Sequence, residues 1–139
     1  MTLGCCVGNQ TLYNSSKDRL KPFQDWGYDF IELPVAWFST LDEDEFEDLV
    51  RDLRQTDLTV GACNVFLPPD LALIGPRRDP NATRAYVEKA MERIHRLGTS
   101  IVVFGSGKAR SFPDGYPAET AWNELRDFCL EAADLAAEK

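Results

Sequence analysis

The sequence predicts an α/β fold built on a parallel sheet, and three observations carry that expectation. Short apolar runs bounded by turn residues recur along the chain. An amphipathic helical pattern fills the interval after each run. Polar and Gly-rich residues gather at the ends of the runs: Gly8-Asn9-Gln10, Glu32, Asn64 and Gly105-Ser106-Gly107. Strands alternating with helices pair in parallel through right-handed crossovers, and their sites collect at the C-terminal edge of the sheet.

The strands are expected at Leu3 to Gly8 (LGCCVG), Asp29 to Val35 (DFIELPV), Thr59 to Phe66 (TVGACNVF) and Ser100 to Gly105 (SIVVFG). Unbroken runs of Val, Ile, Phe and Cys fit strands covered on both faces. Leu20, Phe23 and Trp26 mark a first helix whose start is limited by Pro22 and whose stop is Gly27. Phe46, Leu49, Val50 and Leu53 line one face of a second, and Thr40 with Glu43 fits a capping box. The third opens at Asp79-Pro80, an N-cap followed by Pro at the first helical position. It turns Tyr86, Ala90, Ile94 and Leu97 to one side and stops at Gly98. The fourth starts near Pro117 and carries Ala121, Leu125, Phe128, Ala132 and Leu135.

The order is β-α-β-α-β-α-β-α, four consecutive βα units over 1–139 with no domain boundary between them. A small open sheet and part of a (βα)8 barrel both satisfy that order. Eight units of about 35 residues would reach the roughly 250 typical of such a barrel. The chain stops inside a helical pattern, EAADLAAEK, and its polar residues sit at strand ends. Half of a (βα)8 barrel is the expected architecture.

Composition narrows the function. Hydrophobic content of 44% and charged content of 27% are those of a globular protein. A net charge of -8 opposes nucleic-acid binding, because phosphates are held by Lys and Arg. Much of that charge lies in LDEDEFEDL, the solvated face of the second helix. No apolar run is long enough for a bilayer, and MTLGCCVGNQ lacks the basic region of a signal peptide. Cys5, Cys6, Cys63 and Cys129 form no CxxC pair and no zinc spacing. Buried, reduced thiols in a cytoplasmic protein are expected.

GYDFIELPV, then NVFLPPDLALIGPRRDP, then LGTSIVVFGSGKARSFPDGYP resemble, in this order, the xylose isomerase-like TIM-barrel superfamily, and within it the sugar phosphate isomerase/epimerase group. The resemblance covers essentially the whole chain. Asn64-x-Phe66-Leu67-Pro68 and Phe104-Gly105-Ser106-Gly107-x-x-Arg110 are its specific parts. It implies a metal-dependent isomerase or epimerase that moves a proton next to a carbonyl of a sugar or sugar phosphate. It also implies a divalent metal held by carboxylates and a histidine on later strands. Those ligands have no matching positions here, so no catalytic or metal residue is assigned. The chain resembles the N-terminal half, expected to be inactive alone. Two other readings stand beside this one. The chain is a non-catalytic half-barrel, binding a partner, a second copy or a C-terminal half; or it is a relative of the metal-dependent endonucleases, which its acidity disfavours.

Four residues are the candidate substrate contacts: Glu32, Asn64, Ser106 and Arg110. Glu32 among Phe30, Ile31 and Leu33 is either a pocket carboxylate or a buried partner of a neighbouring group. Asn64 can read a hydroxyl as donor and acceptor, or cap its loop. Phe66 and Leu67 could wall the pocket, beside the long LALIGP loop. GSGKAR meets neither nucleotide fingerprint, and Ser106 lacks a nucleophile elbow. Lys108 and Arg110 either hold an anion or are simply solvated. Tyr13, Trp37 and Phe38 stack on a sugar, form a lid or plug the rim. His95, alone in mid-helix between cations, reads as an outer-ring residue, not a base or ligand.

Overall fold

The computed structural model describes residues 1–8 and 20–139. Three strands, β1 (Gly4–Cys6), β2 (Phe30–Pro34) and β3 (Thr59–Asn64), pair in parallel in that order. Cys5 lies opposite Ile31, and Leu33 opposite Cys63. The register shifts between Ile31 and Glu32, which leaves Gly61 as the extra residue of a bulge.

The fourth apolar run enters the sheet less fully than Ser100–Gly105 suggests. It joins β3 through one parallel bridge, Cys63 to Val102. Cys63 N–H donates to the Ile101 carbonyl at 2.8 Å, and Val103 N–H to the Cys63 carbonyl at 2.7 Å. The ladder goes no further because β3 leaves it at Val65, which turns left-handed at φ +46. The third strand therefore ends at Asn64, not Phe66.

Among the described residues five helices follow the strands: α1 (Lys21–Asp25), α2 (Val35–Phe38), α3 (Glu43–Arg54), α4 (Pro80–Arg96) and α5 (Ala118–Ala137). α2 was not foreseen. Pro34 caps it, and Ala36 N–H donates to the Val65 carbonyl at 3.0 Å. That turn sends Trp37 and Phe38 into the core, where they are 2% and 0% exposed. The capping box of α3 also differs from expectation. Asp42 accepts from Glu45 N–H at 2.8 Å, and Glu45 accepts from Asp42 N–H at 2.9 Å. Thr40 is occupied elsewhere: its hydroxyl donates to the Trp37 carbonyl at 2.7 Å, closing α2. α4 starts as expected, with Asp79 accepting from Ala82 N–H at 3.0 Å. Its buried face is Thr83, Val87, Ala90, Met91, Arg93 and Ile94, with Tyr86 and Leu97 only half-buried. Cys63 is the one fully buried thiol; Cys6 and Cys129 are exposed, and all four cysteines are free.

The two faces of the sheet differ sharply. Ile31, Leu33, Val60 and Cys63 are buried under the helices. Phe66, Phe104 and Phe128 interlock there, with centroids 5.9 and 5.4 Å apart across Phe104. Among the described residues no helix covers the opposite face, which carries the alternate residues, among them Phe30, Glu32, Ile101 and Val103.

Arg93 ties α4 to the connection between α2 and α3. Only 2% exposed, it donates from Nη1 to the carbonyls of Phe38 (2.5 Å) and Leu41 (2.9 Å), and from Nη2 to that of Asp42 (3.3 Å). Its guanidinium lies 4.5 Å from the centroid of the Phe46 ring. The Phe38 and Leu41 carbonyls stand where no helix supplies a donor, so removing the guanidinium strands them, whereas that of Asp42 also accepts from Phe46 N–H at 3.1 Å. We expect Arg93→Met to cost about 3 kcal/mol in urea unfolding. Arg93→Lys should not restore it, because one ammonium cannot reach three fixed acceptors as a planar fork does.

Burial pushes the Cys63 thiol from 9.0 up to about 12, and the Tyr86 phenol, donating to the Phe66 carbonyl, also rises to about 12. The folded chain then holds these protons more tightly than the unfolded chain. Their contribution to stability is complete below pH 9.0 and fades as the pH climbs toward about 12. The urea midpoint should fall across that window, and less steeply in Cys63→Ala.

Candidate functional site

The uncovered face is built in layers. At its base Phe30 lies across the sheet between two glycines. A Cβ at Gly4 would stand 2.0 Å from the Phe30 ring, and one at Gly61 2.5 Å from it. Only glycine at both neighbours lets the ring lie flat. One residue pair higher, toward the C-terminal rim, the sheet presents Cys6 and Glu32 opposite each other, with Asn64 a further pair up on β3.

Asn64 joins these three. Its Nδ2 donates to Cys6 Sγ at 2.9 Å and to Glu32 Oε2 at 3.3 Å. Asn64 is 8% exposed, Glu32 half-buried and Cys6 open to solvent. Together they offer a carboxylate, an amide and a thiol on one patch, a set suited to reading hydroxyl groups. Cys6 was missed from the sequence, where the adjacent cysteines read as buried thiols. That adjacent Cys5 and Cys6 point to opposite faces if they lie on a strand is read from the sequence; which of the two faces lies open is not.

The rim is held under strain. Among the described residues, the non-glycine residues with positive φ are Val65 (+46) and Ser106 (+28), each just past the end of a sheet segment. Such conformations cost about 1–3 kcal/mol each and persist where surroundings enforce them. The Ser106 hydroxyl accepts from Leu67 N–H at 2.8 Å, tying the third βα loop to the fourth. Leu73 N–H donates to the Ala109 carbonyl at 2.9 Å. Glu124 accepts from Gly75 N–H at 2.9 Å and from the Tyr116 hydroxyl at 3.1 Å. Burial and this carboxylate raise the Tyr116 phenol, which keeps it a donor.

The four expected contacts therefore divide. Glu32 and Asn64 are brought together. Ser106 serves the loop junction, and Arg110 sits over the Phe104 ring at 5.4 Å. Lys108 is exposed, and Phe66 and Leu67 are buried beneath the rim. His95 is exposed on α4. Asn9, Gln10 and Tyr13 lie outside the described residues. Among the described residues no helix is long and apolar enough to cross a membrane. No cluster of three or more His, Cys, Asp or Glu among them could hold a metal ion. The inner patch itself, one carboxylate beside an amide and a soft thiol, does not fit a hard divalent cation.

A half-sheet of parallel strands with its polar side chains at the C-terminal rim is the geometry of a (βα)8 barrel enzyme cut in two. Residues 20–139 match the family of xylose isomerase-like TIM barrels, and the chain belongs to that family. Its fold is shared by 3-keto-D-glucoside 4-epimerase, YcjR, from E. coli. That match has a TM-score of 0.71 at 13% identity, covering 99% of this chain and 52% of the other. D-psicose 3-epimerase gives a TM-score of 0.64 at 11% identity, covering 98% and 50%. The chain thus spans about half the length of these solved structures. No curated protein sequence matches it.

Val65 is exposed, so its side chain contributes little packing while its β-branch strains the left-handed turn. Asn tolerates that region and keeps a Cβ. Val65→Asn should stabilise the chain by about 1 kcal/mol, read as a higher urea midpoint with unchanged slope.

Proposed function

We propose that the 139 residues form one (βα)4 unit, the N-terminal, sugar-binding half of an isomerase/epimerase-type barrel. The observation that carries this is the Asn64 amide bridging Glu32 and Cys6 on the inner face. Glu32 accepts from a sugar hydroxyl, and Asn64 offers its amide oxygen to another. The apolar floor, Phe30, meets the C–H face of the ring. Arg110 and Lys108, exposed on the fourth βα loop, are placed for the anionic end of a phosphorylated sugar. The chain's part in the reaction is to bind and orient. The proton transfer of the family needs groups this half does not contain, and the chain alone turns over no sugar. Four free cysteines suit a reducing compartment, the cytoplasm.

Chemical-shift mapping of the 15N-labelled chain tests this. D-fructose should shift the amides of Cys6, Glu32 and Asn64, and Glu32→Ala should weaken its binding about tenfold, a loss of ~1.4 kcal/mol. Fructose 6-phosphate should also shift Lys108 and Arg110. Shifts confined to the outer helices, or binding indifferent to Glu32→Ala, would overturn the reading.

A further inference from the structure

Among the described residues the sheet is open at both edges and on one face. In a parallel ladder, alternate peptide groups point to opposite neighbours. Val7 N–H bonds Glu32, so the Gly4 and Cys6 peptides of β1 face outward. Ile101 and Val103 bond Cys63, so the Val102 and Phe104 peptides face the other way, off the far edge. The inner face adds apolar surface beside that edge: Ile101 is 56% and Val103 48% exposed. On the helix side of the same edge lies a groove of about 500 Å³, lined by Phe66, Ile94, Val102, Phe104, Phe128 and Ala132. It is the space where the outward side chains of one more parallel strand would sit.

We propose that a second copy of this chain supplies that strand: two copies close into one eight-stranded barrel, β1 of each pairing with the Val102 segment of the other. The strand count selects this occupant. The copy holds four strand positions, the barrel needs eight, and the chain covers 52% and 50% of two solved barrels. Rotation by half a turn about the barrel axis keeps strand direction. Each far edge therefore meets a β1 edge in the parallel sense, and both seams form at once. Leu3, 50% exposed, and Cys5 then face the groove from the second copy. Ile101 and Val103 become interior, and the unpaired peptides of both edges find partners. The acidic residues of α3 stay on the outer ring, away from the seams. The inference is independent of the sugar reading.

Light scattering after size exclusion tests it. The chain should run at twice its 15.7 kDa mass. The double variant Ile101→Lys/Val103→Lys should run at the single mass. Trp122→Lys/Leu130→Lys, which alters exposed apolar residues of α5, should still dimerise. Hydrogen exchange on the unaltered chain guards against a variant that merely unfolds. Amides of Cys6, Val102 and Phe104 should be protected and lose protection on dilution. A monomer at the highest soluble concentration overturns the proposal. So does an open-ended assembly, or a dimer broken by the α5 variant and not by the seam variant.

Discussion

Parallel pairing is the constraint from which the rest of the structure follows. Strands that run one way cannot be joined by hairpins, so each must return through a crossover. Right-handed crossovers place every helix on the same face. That face becomes the core, where Ile31, Leu33 and Cys63 are fully buried. The other face is left to side chains alone. The same constraint brings all strand C-termini to one rim, so loops distant in sequence meet there. Glu32 and Asn64, 32 residues apart, are hydrogen-bonded for that reason.

Position at the rim is maintained by polar ties from side chains to backbone. Arg93 gathers the carbonyls of the α2–α3 connection from behind, Ser106 holds Leu67, and Glu124 holds Gly75. Each satisfies a backbone group that regular structure leaves free. The left-handed Val65 and Ser106 show that these ties outweigh local preference. Val65 also gives its carbonyl to Ala36, which links the turn after β3 to α2. The site is consequently a fixed surface at the junction of several elements, not a mobile loop.

Much of this was legible in the sequence. Apolar runs and helical periodicity gave the element order, and the Asp79-Pro80 start of α4 needed no tertiary information. The misreadings share a cause: the deciding interaction lay with a residue far away. Pro34 to Phe38 forms a helical turn because Val65, just past the end of the next strand, accepts the Ala36 amide. The burial of Arg93 has no local signal, because its acceptors lie in the α2–α3 connection. Thr40 lost the capping box to Asp42 because its hydroxyl had already closed α2. The sequence reading named Glu32 and Asn64 separately; their hydrogen bond needs the register, which sets Glu32 opposite Ala62 and Asn64 one side-chain pair further along.

The inner face sets a further condition on any closed form. In the single copy, Glu32 is half-buried and water can solvate its charge. Closing the barrel removes that water, and Asn64 supplies only one amide bond at 3.3 Å in return. A carboxylate moved into a less polar interior is disfavoured unless its oxygens find donors. Two copies would bring two such carboxylates into the same interior. A sugar bound as proposed, with several hydroxyl donors, would supply the missing bonds and so would bind the closed form in preference to the open one. By linkage it must then strengthen closure by the same factor that closure strengthens its binding. In such a closed form the carboxylate that opposes assembly of the empty barrel would be the group that ties assembly to occupancy.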